Sequence, residues 1–154
     1  MRQTAIICSL FFFLNIHGQN TVPEIKGIET VIQTGHYATV SVVCFSPDGR
    51  FVVTGSEDKT IKLWEAQTGR EVRSYTGSPA SITAVTISKD GRYLAAVARD
   101  GNARIWELPS SKLLRTLEIP DDDILCVDFA PSGSSLVTGT ENHHAILWNF
   151  LNGE

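Results

Sequence analysis

Three residues in the first half of the chain, His36, Ser56 and Asp58, are the side-chain types of a hydrolase catalytic triad. In such a triad the histidine takes a proton from an exposed serine hydroxyl, the aspartate orients the histidine, and an oxyanion site lies nearby. Here Ser56 ends an apolar run that is typical of a buried strand, and Trp64 follows as a fourth member of the group. We therefore expect a structural role for these residues and no enzymatic activity.

Two further groups carry side chains that can bind metal ions. Asp121, Asp122 and Asp123 form an acidic run that could meet a basic partner or bind a hard cation such as Ca²⁺. Consecutive carboxylates do not converge on one ion without the spacing of an EF-hand loop, so a solvated loop is the preferred interpretation. His143 and His144 are adjacent, and adjacent residues on a strand point to opposite faces. The sequence predicts no metal site and no cofactor.

The elements that position these residues belong to a repeat. Trp64, Trp106 and Trp148 follow one another at a constant spacing of 42 residues, and the intervening sequence stays in step without an insertion. A fixed period of about 40 to 45 residues indicates one supersecondary unit that is copied and stacked, with each copy burying its apolar face against its neighbours. Such an architecture is expected to function through a surface rather than a cleft.

Each copy has the pattern of β-structure. Short runs rich in Val, Ile, Thr, Phe and Tyr are separated by turn sequences such as SPDG at 46–49. In the first copy this pattern predicts strands at about 40–46, 50–56, 60–65 and 71–76. The same set shifted by one repeat gives the other two copies. Each copy is then a four-stranded antiparallel meander, and no segment predicts an amphipathic helix.

The repeat resembles a known family. The first copy has GH at 35–36, FSPDG at 45–49, SEDKTIKLW at 56–64 and TG at 68–69, which together resemble the WD-repeat signature of bacterial secreted proteins. The resemblance covers about residues 29–154 in three in-phase copies. It implies an all-β fold of four-stranded antiparallel blades from a β-propeller. Three blades are present in the chain, at about 36–77, 78–119 and 120–154.

The resemblance also implies a hydrogen-bonded tetrad within a blade, in which the aspartate accepts from the histidine, a serine hydroxyl bridges, and the indole N–H finds an acceptor. The first copy carries all four residues: His36, Ser56, Asp58 and Trp64. The other copies carry partial tetrads: Asp100 and Trp106 in the second, and Thr140, Asn142 and Trp148 in the third. We expect the second and third blades to be held less rigidly.

A partner-binding surface is expected where loops gather at one end of the blades. The loops that join each fourth strand to the next first strand meet the loops between second and third strands. The residues there, which we call the rim, are Tyr37, Glu57, Pro79, Arg99, Asp121, Asp122 and Glu141. Loops on a rigid scaffold are usual carriers of binding, and the resemblance implies that this face docks a protein or peptide.

Composition sets limits on the partner. The chain has 154 residues, of which 42% are hydrophobic and 19% charged, and a formal net charge of −4. A chain of this kind can bury a core, but it has no basic surface for nucleic acid. Cys44 and Cys126 fall in the first strands of the first and third copies, too far apart for a disulfide if the second copy lies between them. We expect two buried thiols.

The N-terminal segment predicts export. Arg2 precedes the apolar stretch Ala5–Leu14, and Gly18 offers a small residue for cleavage, so residues 1–18 resemble a secretory signal. Ten apolar residues are too few to cross a bilayer, which needs about 20. This predicts a periplasmic or extracellular protein with a linker at 19–28 and no membrane span after cleavage. An uncleaved N-terminal anchor is the alternative.

The number of copies leaves two alternatives. Propellers close with about four to eight blades, whereas three are recognisable here. Residues 29–34 align with the fourth strands at 71–76 and 113–118, which predicts a lone strand of the kind that closes a ring. Either the chain is the N-terminal part of a longer WD-repeat protein, or two chains associate and residues 29–34 of one complete the third blade of the other.

The function expected from these observations is a non-enzymatic scaffold or sensor module for protein–protein interaction. One alternative is a regulatory propeller of a larger enzyme, such as a caspase-like peptidase. The other is a self-associating structural protein, in which a homo-oligomer completes the propeller.

Overall fold

The computed structural model describes residues 35–151 of the chain. The segments predicted as a signal at 1–18, a linker at 19–28 and a lone strand at 29–34 lie outside the described residues, as do residues 152–154. Within the described range the chain forms eleven β-strands and no helix. No segment of this range forms a helix long and apolar enough to cross a membrane.

The strands form three antiparallel sheets that follow one another along the sequence. The first sheet has the order β1-β2-β3-β4, with β1 Val40–Phe45, β2 Phe51–Ser56, β3 Ile61–Glu65 and β4 Glu71–Tyr75. The second has the order β5-β6-β7-β8, with β5 Ile82–Ile87, β6 Tyr93–Ala98, β7 Ala103–Glu107 and β8 Leu113–Leu117. In the third, β10 Leu136–Thr140 lies between β9 Ile124–Phe129 and β11 Ala145–Trp148. The predicted all-β class and blade architecture are confirmed.

Glycine at one position makes the first hairpin of every blade possible. Gly49, Gly91 and Gly133 adopt φ of 69°, 71° and 74°, a backbone region that residues with a Cβ rarely occupy. Each glycine N–H donates to the carbonyl three residues before it, which closes the turn between the first two strands. The Asp-Gly and Ser-Gly pairs that predicted these turns therefore act through backbone conformation.

Side chains from consecutive sheets pack face to face. One cluster joins Val53, Leu63 and Tyr75 of the first blade to residues of the second blade that include Leu94 and Trp106. A second cluster joins the other face of the second blade to the third blade, including Ile124, Leu136 and Phe150. Every residue of β6 is buried, because its sheet is covered on both faces. Full burial of each large apolar side chain stabilises the fold by about 1.5–3 kcal/mol.

The outer faces of the first and third blades carry exposed apolar side chains. Val43 is 61% exposed on β1, although its equivalent in the second blade, Val85, is 9% exposed at the junction with the first. Leu147 is 72% exposed on β11, whereas its equivalent Ile105 is fully buried. The described residues thus form an arc of three stacked blades rather than a closed ring.

The two cysteines of this arc are free thiols. Cys44 is partly buried, and burial raises its pKa to about 11. Cys126 is exposed, so the prediction that both thiols are buried is wrong for this residue. Cys126 lies on the outer face of the third blade, where no further sheet covers it within the described range.

Candidate partner-binding rim

A chain of hydrogen bonds in the first blade connects Asp58, in the turn after β2, to Trp64 on β3. Nδ1 of His36 lies 2.8 Å from Oδ2 of Asp58, and Nε2 lies 2.8 Å from Oγ1 of Thr54. The indole N–H of Trp64 donates to the same Thr54 oxygen over 2.8 Å. A carboxylate can only accept, so a neutral His36 donates from Nδ1 and accepts the Thr54 hydroxyl proton at Nε2.

The structure places Thr54 where the sequence predicted Ser56. The Ser56 hydroxyl accepts from the Asp58 N–H at 3.0 Å and donates to the Ala38 carbonyl at 3.3 Å. Both residues are on one face of β2, but only Thr54 is far enough from the turn to lie between the two rings. The corresponding Thr138 in the third blade, which accepts from the Trp148 indole N–H at 2.8 Å, was the sequence signal that could have identified it.

Hydrogen bonds determine the charge state of Asp58. Burial opposes ionisation of this carboxyl, but bonds from the Thr60 hydroxyl, the Tyr37 backbone N–H and His36 outweigh that effect. They hold the pKa of Asp58 far below its usual range. The side chains of His36 and Asp58 are 5% and 7% exposed. The pair is therefore a buried structural connection, and neither side chain is placed to activate the Ser56 hydroxyl.

The second blade replaces this network with an ion pair. Ala96 stands at the Thr54 position, so no hydroxyl is available for the Trp106 indole. The Arg104 guanidinium donates to both oxygens of Asp100, at 3.1 and 2.5 Å. Burial opposes ionisation of Asp100, yet the Arg104 bond and charge lower the pKa of the carboxyl. Trp106 instead packs edge-on against Tyr75 of the first blade, with ring centroids 6.5 Å apart.

The third blade connects its loops through Asn142. The Asn142 backbone N–H donates to Asp122 Oδ1 at 3.0 Å, and its side-chain amide donates to the Asp121 carbonyl at 3.1 Å. Thr140 accepts from the His144 backbone N–H at 3.2 Å. His143 has φ of 69° at the tip of this turn. The two histidines therefore lie in the turn between β10 and β11.

The predicted rim residues lie at one end of the sheets. In each blade an amide after the second strand donates to a carbonyl before the first strand. These equivalent bonds are Glu57 to Thr39 at 2.9 Å, Arg99 to Ser81 at 2.8 Å and Glu141 to Asp123 at 3.0 Å. They hold both sets of loops together. Tyr37 is 98% exposed, whereas the side chain of Asp122 is only 5% exposed.

Charge differs between the two blade junctions of this rim. At the first junction Arg99 lies 3.5 Å from Glu57, and the Ser81 hydroxyl donates to the Glu57 carbonyl. At the second junction a cavity of about 620 Å³ is lined by six carboxylate side chains, two asparagines and two apolar residues. We call this cavity the acidic notch. Its lining residues are Asp100, Asn102, Glu118, Ile119, Pro120, Asp121, Asp122, Asp123, Glu141 and Asn142.

No cluster in the 35–151 range has the geometry to hold a metal ion with three or more His, Cys, Asp or Glu ligands. The carboxylates of the notch are spread along its walls rather than converging on one point. The chemistry available to the rim is therefore noncovalent binding through charge, hydrogen bonds and the exposed Tyr37 ring.

Curated relatives match a short part of the chain. The Ribosome biogenesis protein BOP1 homolog of Drosophila ananassae is 36% identical over 70 residues, which is 40% of this chain and 9% of that protein. The homolog of Drosophila grimshawi is 34% identical over the same length and share. The chain therefore spans about a tenth of the length of these relatives.

The relatives correct the expected source and location. They are animal proteins named for ribosome biogenesis, so the prediction of a bacterial secreted type exported from the cell is wrong. That prediction depended on residues 1–18, whose apolar stretch has the composition of a signal.

Solved structures and a family model agree on the fold. "Structure of U3-55K" and "Crystal structure of RRP9 WD40 repeats" superpose with TM-scores of 0.73 and 0.72. Each is 23% identical to this chain and covers 78% of it, while the chain covers 38% of each. The model of the WD domain, G-beta repeat, matches residues 29–65, 69–107 and 111–149. These three matches take in well over half of the sequence, and the chain belongs to the WD-repeat family.

Proposed function

We propose that this WD-repeat chain is a non-enzymatic scaffold that holds a protein or peptide partner against its rim. The observation that carries the proposal is the placement of both loop sets at one end of three stacked sheets, fixed by the same backbone hydrogen bond in every blade. Exposed loop residues on so rigid a support can bind without a large loss of conformational entropy. Tyr37 and Arg99 supply the side-chain types that are enriched at protein interfaces.

The arrangement of His36 and Asp58 supports the non-enzymatic part of the proposal. Both side chains are buried, and His36 has hydrogen-bond partners on both ring nitrogens. A general base is hydrogen-bonded to the hydroxyl that it deprotonates, and the oxygen of that hydroxyl must be free to attack a substrate. The Thr54 hydroxyl is bonded to Nε2 of His36, but its oxygen also accepts the Trp64 indole N–H and lies between the two rings, so it is not free to attack a substrate.

Ribosome biogenesis is the process in which we propose that this scaffold acts. The support is the printed name of the relatives, which share 34–36% identity with a 70-residue part of the chain. Because the match covers 9% of those proteins, it bears on the blades alone.

Affinity purification of the tagged full chain tests the proposal. Partners retained by the wild-type chain are quantified by mass spectrometry beside a rim variant, Tyr37→Ala with Arg99→Ala. A matched control, Lys89→Ala with Lys112→Ala, removes two cations at the opposite end of the sheets. We expect the rim variant to lose the partners and the control to retain them. Equal retention of the partners by both variants would contradict the rim as the partner-binding surface. If the retained proteins have no connection with ribosome assembly, the proposed role in ribosome biogenesis is contradicted.

A further inference from the structure

We propose that the acidic notch between the second and third blades binds an arginine-bearing segment of the partner protein. This inference rests on the proposed scaffold function and names the chemistry of the partner at one part of the rim.

The notch concentrates negative charge in a concave surface. Six of its ten lining residues are aspartate or glutamate, and none is lysine or arginine. One of the six, Asp100, is already paired with Arg104. The other five line the same cavity, and no lysine or arginine lines it with them. A concave surface with one sign of charge attracts and orients ligands of the opposite sign.

This charge is a property of one loop rather than of the repeat. The three positions before the third blade are Asp121, Asp122 and Asp123, whereas the equivalent positions before the second blade are Pro79, Ala80 and Ser81. The second blade forms with an uncharged loop at this place. The first junction also balances its charge internally, through Glu57 and Arg99. The acidic loop is therefore not needed to stack the blades.

One carboxylate that lines the notch, Asp122, is almost fully buried. The Asp122 side chain is 5% exposed and lines the notch, and its Oδ1 accepts from the Asn142 backbone. Its Oδ2 is the only buried side-chain oxygen or nitrogen without a hydrogen bond in the part of the chain that the structure describes. Nδ1 of His144 lies 3.5 Å from this oxygen, on a ring that is 68% exposed. Bonds from the Thr140 hydroxyl and the Asn142 backbone N–H lower the pKa of Asp122, so this carboxylate keeps its negative charge at the wall of the notch.

The shape of the notch favours a guanidinium. Gly101 has φ of 75°, and a Cβ at this position would collide with the Asp123 carboxylate. The glycine thus lets Asp123 lie directly against the second blade. Carboxylates spread over two walls suit the planar fork of arginine, which donates in several directions at once. A phosphate-bearing ligand would be repelled by the same groups.

A peptide titration tests the inference. The probe is a fluorescein-labelled peptide, Gly-Arg-Gly-Arg-Gly-Arg-Gly, followed by fluorescence anisotropy with the full-length chain at low and high salt. A peptide with glutamine in place of arginine reports binding that does not need charge, and one with lysine tests the guanidinium. We expect the arginine peptide to bind most tightly, the lysine peptide more weakly and the glutamine peptide not at all.

The variant for this titration removes notch charge with residues that the repeat already tolerates. Asp123→Ser copies Ser81, and Glu141→Gln keeps the backbone bond between the loops. Together they should weaken binding by about tenfold at low salt, because each substitution removes one exposed or half-exposed ion pair with the peptide. The control, Glu65→Gln with Glu107→Gln, removes two carboxylates at the opposite end of the sheets and should stay within about twofold.

Three results would overturn the inference. They are no binding of the arginine peptide, wild-type affinity in the notch variant, and an equal loss in the control variant, which would indicate general charge attraction. None of them affects the wider proposal, because partner retention through Tyr37 and Arg99 is measured separately. Unchanged tryptophan fluorescence and melting temperature in both variants exclude unfolding as a cause of lost binding.

Discussion

Threonine at one position of the second strand decides how a blade secures its tryptophan. Thr54 lies between the rings of His36 and Trp64 and joins them through one oxygen. Thr138 gives the third blade only the tryptophan half of this network. In the second blade Ala96 gives neither. The three copies therefore form a natural series in which the same fold is built with two, one or no bonds at this hydroxyl.

That series predicts unequal effects of removing the hydroxyl. Thr54→Val leaves Trp64 Nε1 and His36 Nε2 without a partner and should lower the free energy of unfolding by about 2 kcal/mol. Thr138→Val, the matched control, loses a single bond and should cost about 1 kcal/mol. Urea denaturation followed by tryptophan fluorescence measures both. Equal effects of the two substitutions would contradict the bridging role of Thr54.

Asp58 predicts a pH dependence of stability. Its pKa in the folded chain is far below the value of 3.8 for a free side chain, so the ionised form stabilises the fold above pH 3.8. This contribution is lost as the pH falls towards the folded pKa. Asp58→Asn should therefore destabilise the chain by about 2 kcal/mol at neutral pH. The difference from wild type should shrink in acid below pH 3.8.

Denaturation series over pH with Glu57→Gln as a control test this prediction. Glu57 is the adjacent exposed carboxyl, and its substitution should change stability by less than about 0.5 kcal/mol at every pH. A difference between Asp58→Asn and wild type that stays constant into acid would show that the ionised carboxylate is not the stabilising species.

The predicted tetrad residues His36, Asp58 and Trp64 take part in the observed hydrogen bonds, whereas the hydroxyl that lies between the two rings belongs to Thr54 and not to Ser56. His36, Asp58 and Trp64 were found by residue type, because few other side chains can take their roles. Thr54 and Ser56 are both hydroxyls on one face of one strand, two residues apart. The two hydroxyls differ only in where they lie relative to the His36 and Trp64 rings, and this position depends on three-dimensional packing.

Close approach between sheets depends on a glycine in the second strand. A Cβ on Gly55 would lie 2.5 Å from Cγ2 of Ile82 and 2.8 Å from Cγ1 of Val42. Two β-branched side chains would thus have to move, one of them in the next blade. The second strand of the second blade has Val97 at this position, and that side chain is fully buried against the third blade. Each junction is therefore fitted by its own residues.

Substitution of this glycine tests the junction between the first two blades. Gly55→Ala should destabilise the chain by about 1–3 kcal/mol, because overpacking forces Ile82 and Val42 apart. Gly139→Ala changes the same repeat position in the third blade, where the Cβ meets only the Sγ of exposed Cys126 at 2.7 Å. That sulfur can rotate away, so we expect less than about 1 kcal/mol. Thermal denaturation compares the loss of stability in the two variants. A larger loss for Gly139→Ala than for Gly55→Ala would contradict the close packing of Gly55 against Ile82 and Val42.

The two cysteines are expected to differ in thiol reactivity, because Cys44 packs at the junction of the first two blades and Cys126 is exposed. Burial raises the pKa of Cys44 to about 11, so little reactive thiolate forms near pH 8. Cys126 is exposed on the outer face of the third blade. Iodoacetamide at pH 8 should modify Cys126 well before Cys44, as measured by peptide mapping of the full chain. Equal rates would mean that the first strand of the first blade is not packed as described.

The strand positions could be predicted from the sequence because each strand boundary occurs in three aligned copies of the repeat. The turn glycines and the tryptophans agree in all copies, and the observed strands lie within one or two residues of those expected in the first two blades. The acidic notch could not be predicted in this way. It depends on how the loop before β9 approaches the turn between β6 and β7, which a single blade does not specify.

At the scale of the whole molecule, the second blade is the only one of the described three with both faces covered. Its strand β6 is buried throughout, while β1 and β11 expose apolar side chains on the two outer faces. A stack that gains stability from each interface should be most stable in its middle unit, which reverses the expectation from the partial tetrad that the second blade is held less rigidly. The rim crosses both junctions, so its shape depends on the blades staying stacked.

Hydrogen–deuterium exchange of the full chain tests this stacking most directly. If each blade covers the face of the next, the amides of β6 and β7 should exchange slowest, and those of β11 should exchange far faster at the same pH and temperature. Exchange in β6 as rapid as in β11, or uniform protection across all three sheets, would contradict the arc of stacked blades on which the rim and the notch depend.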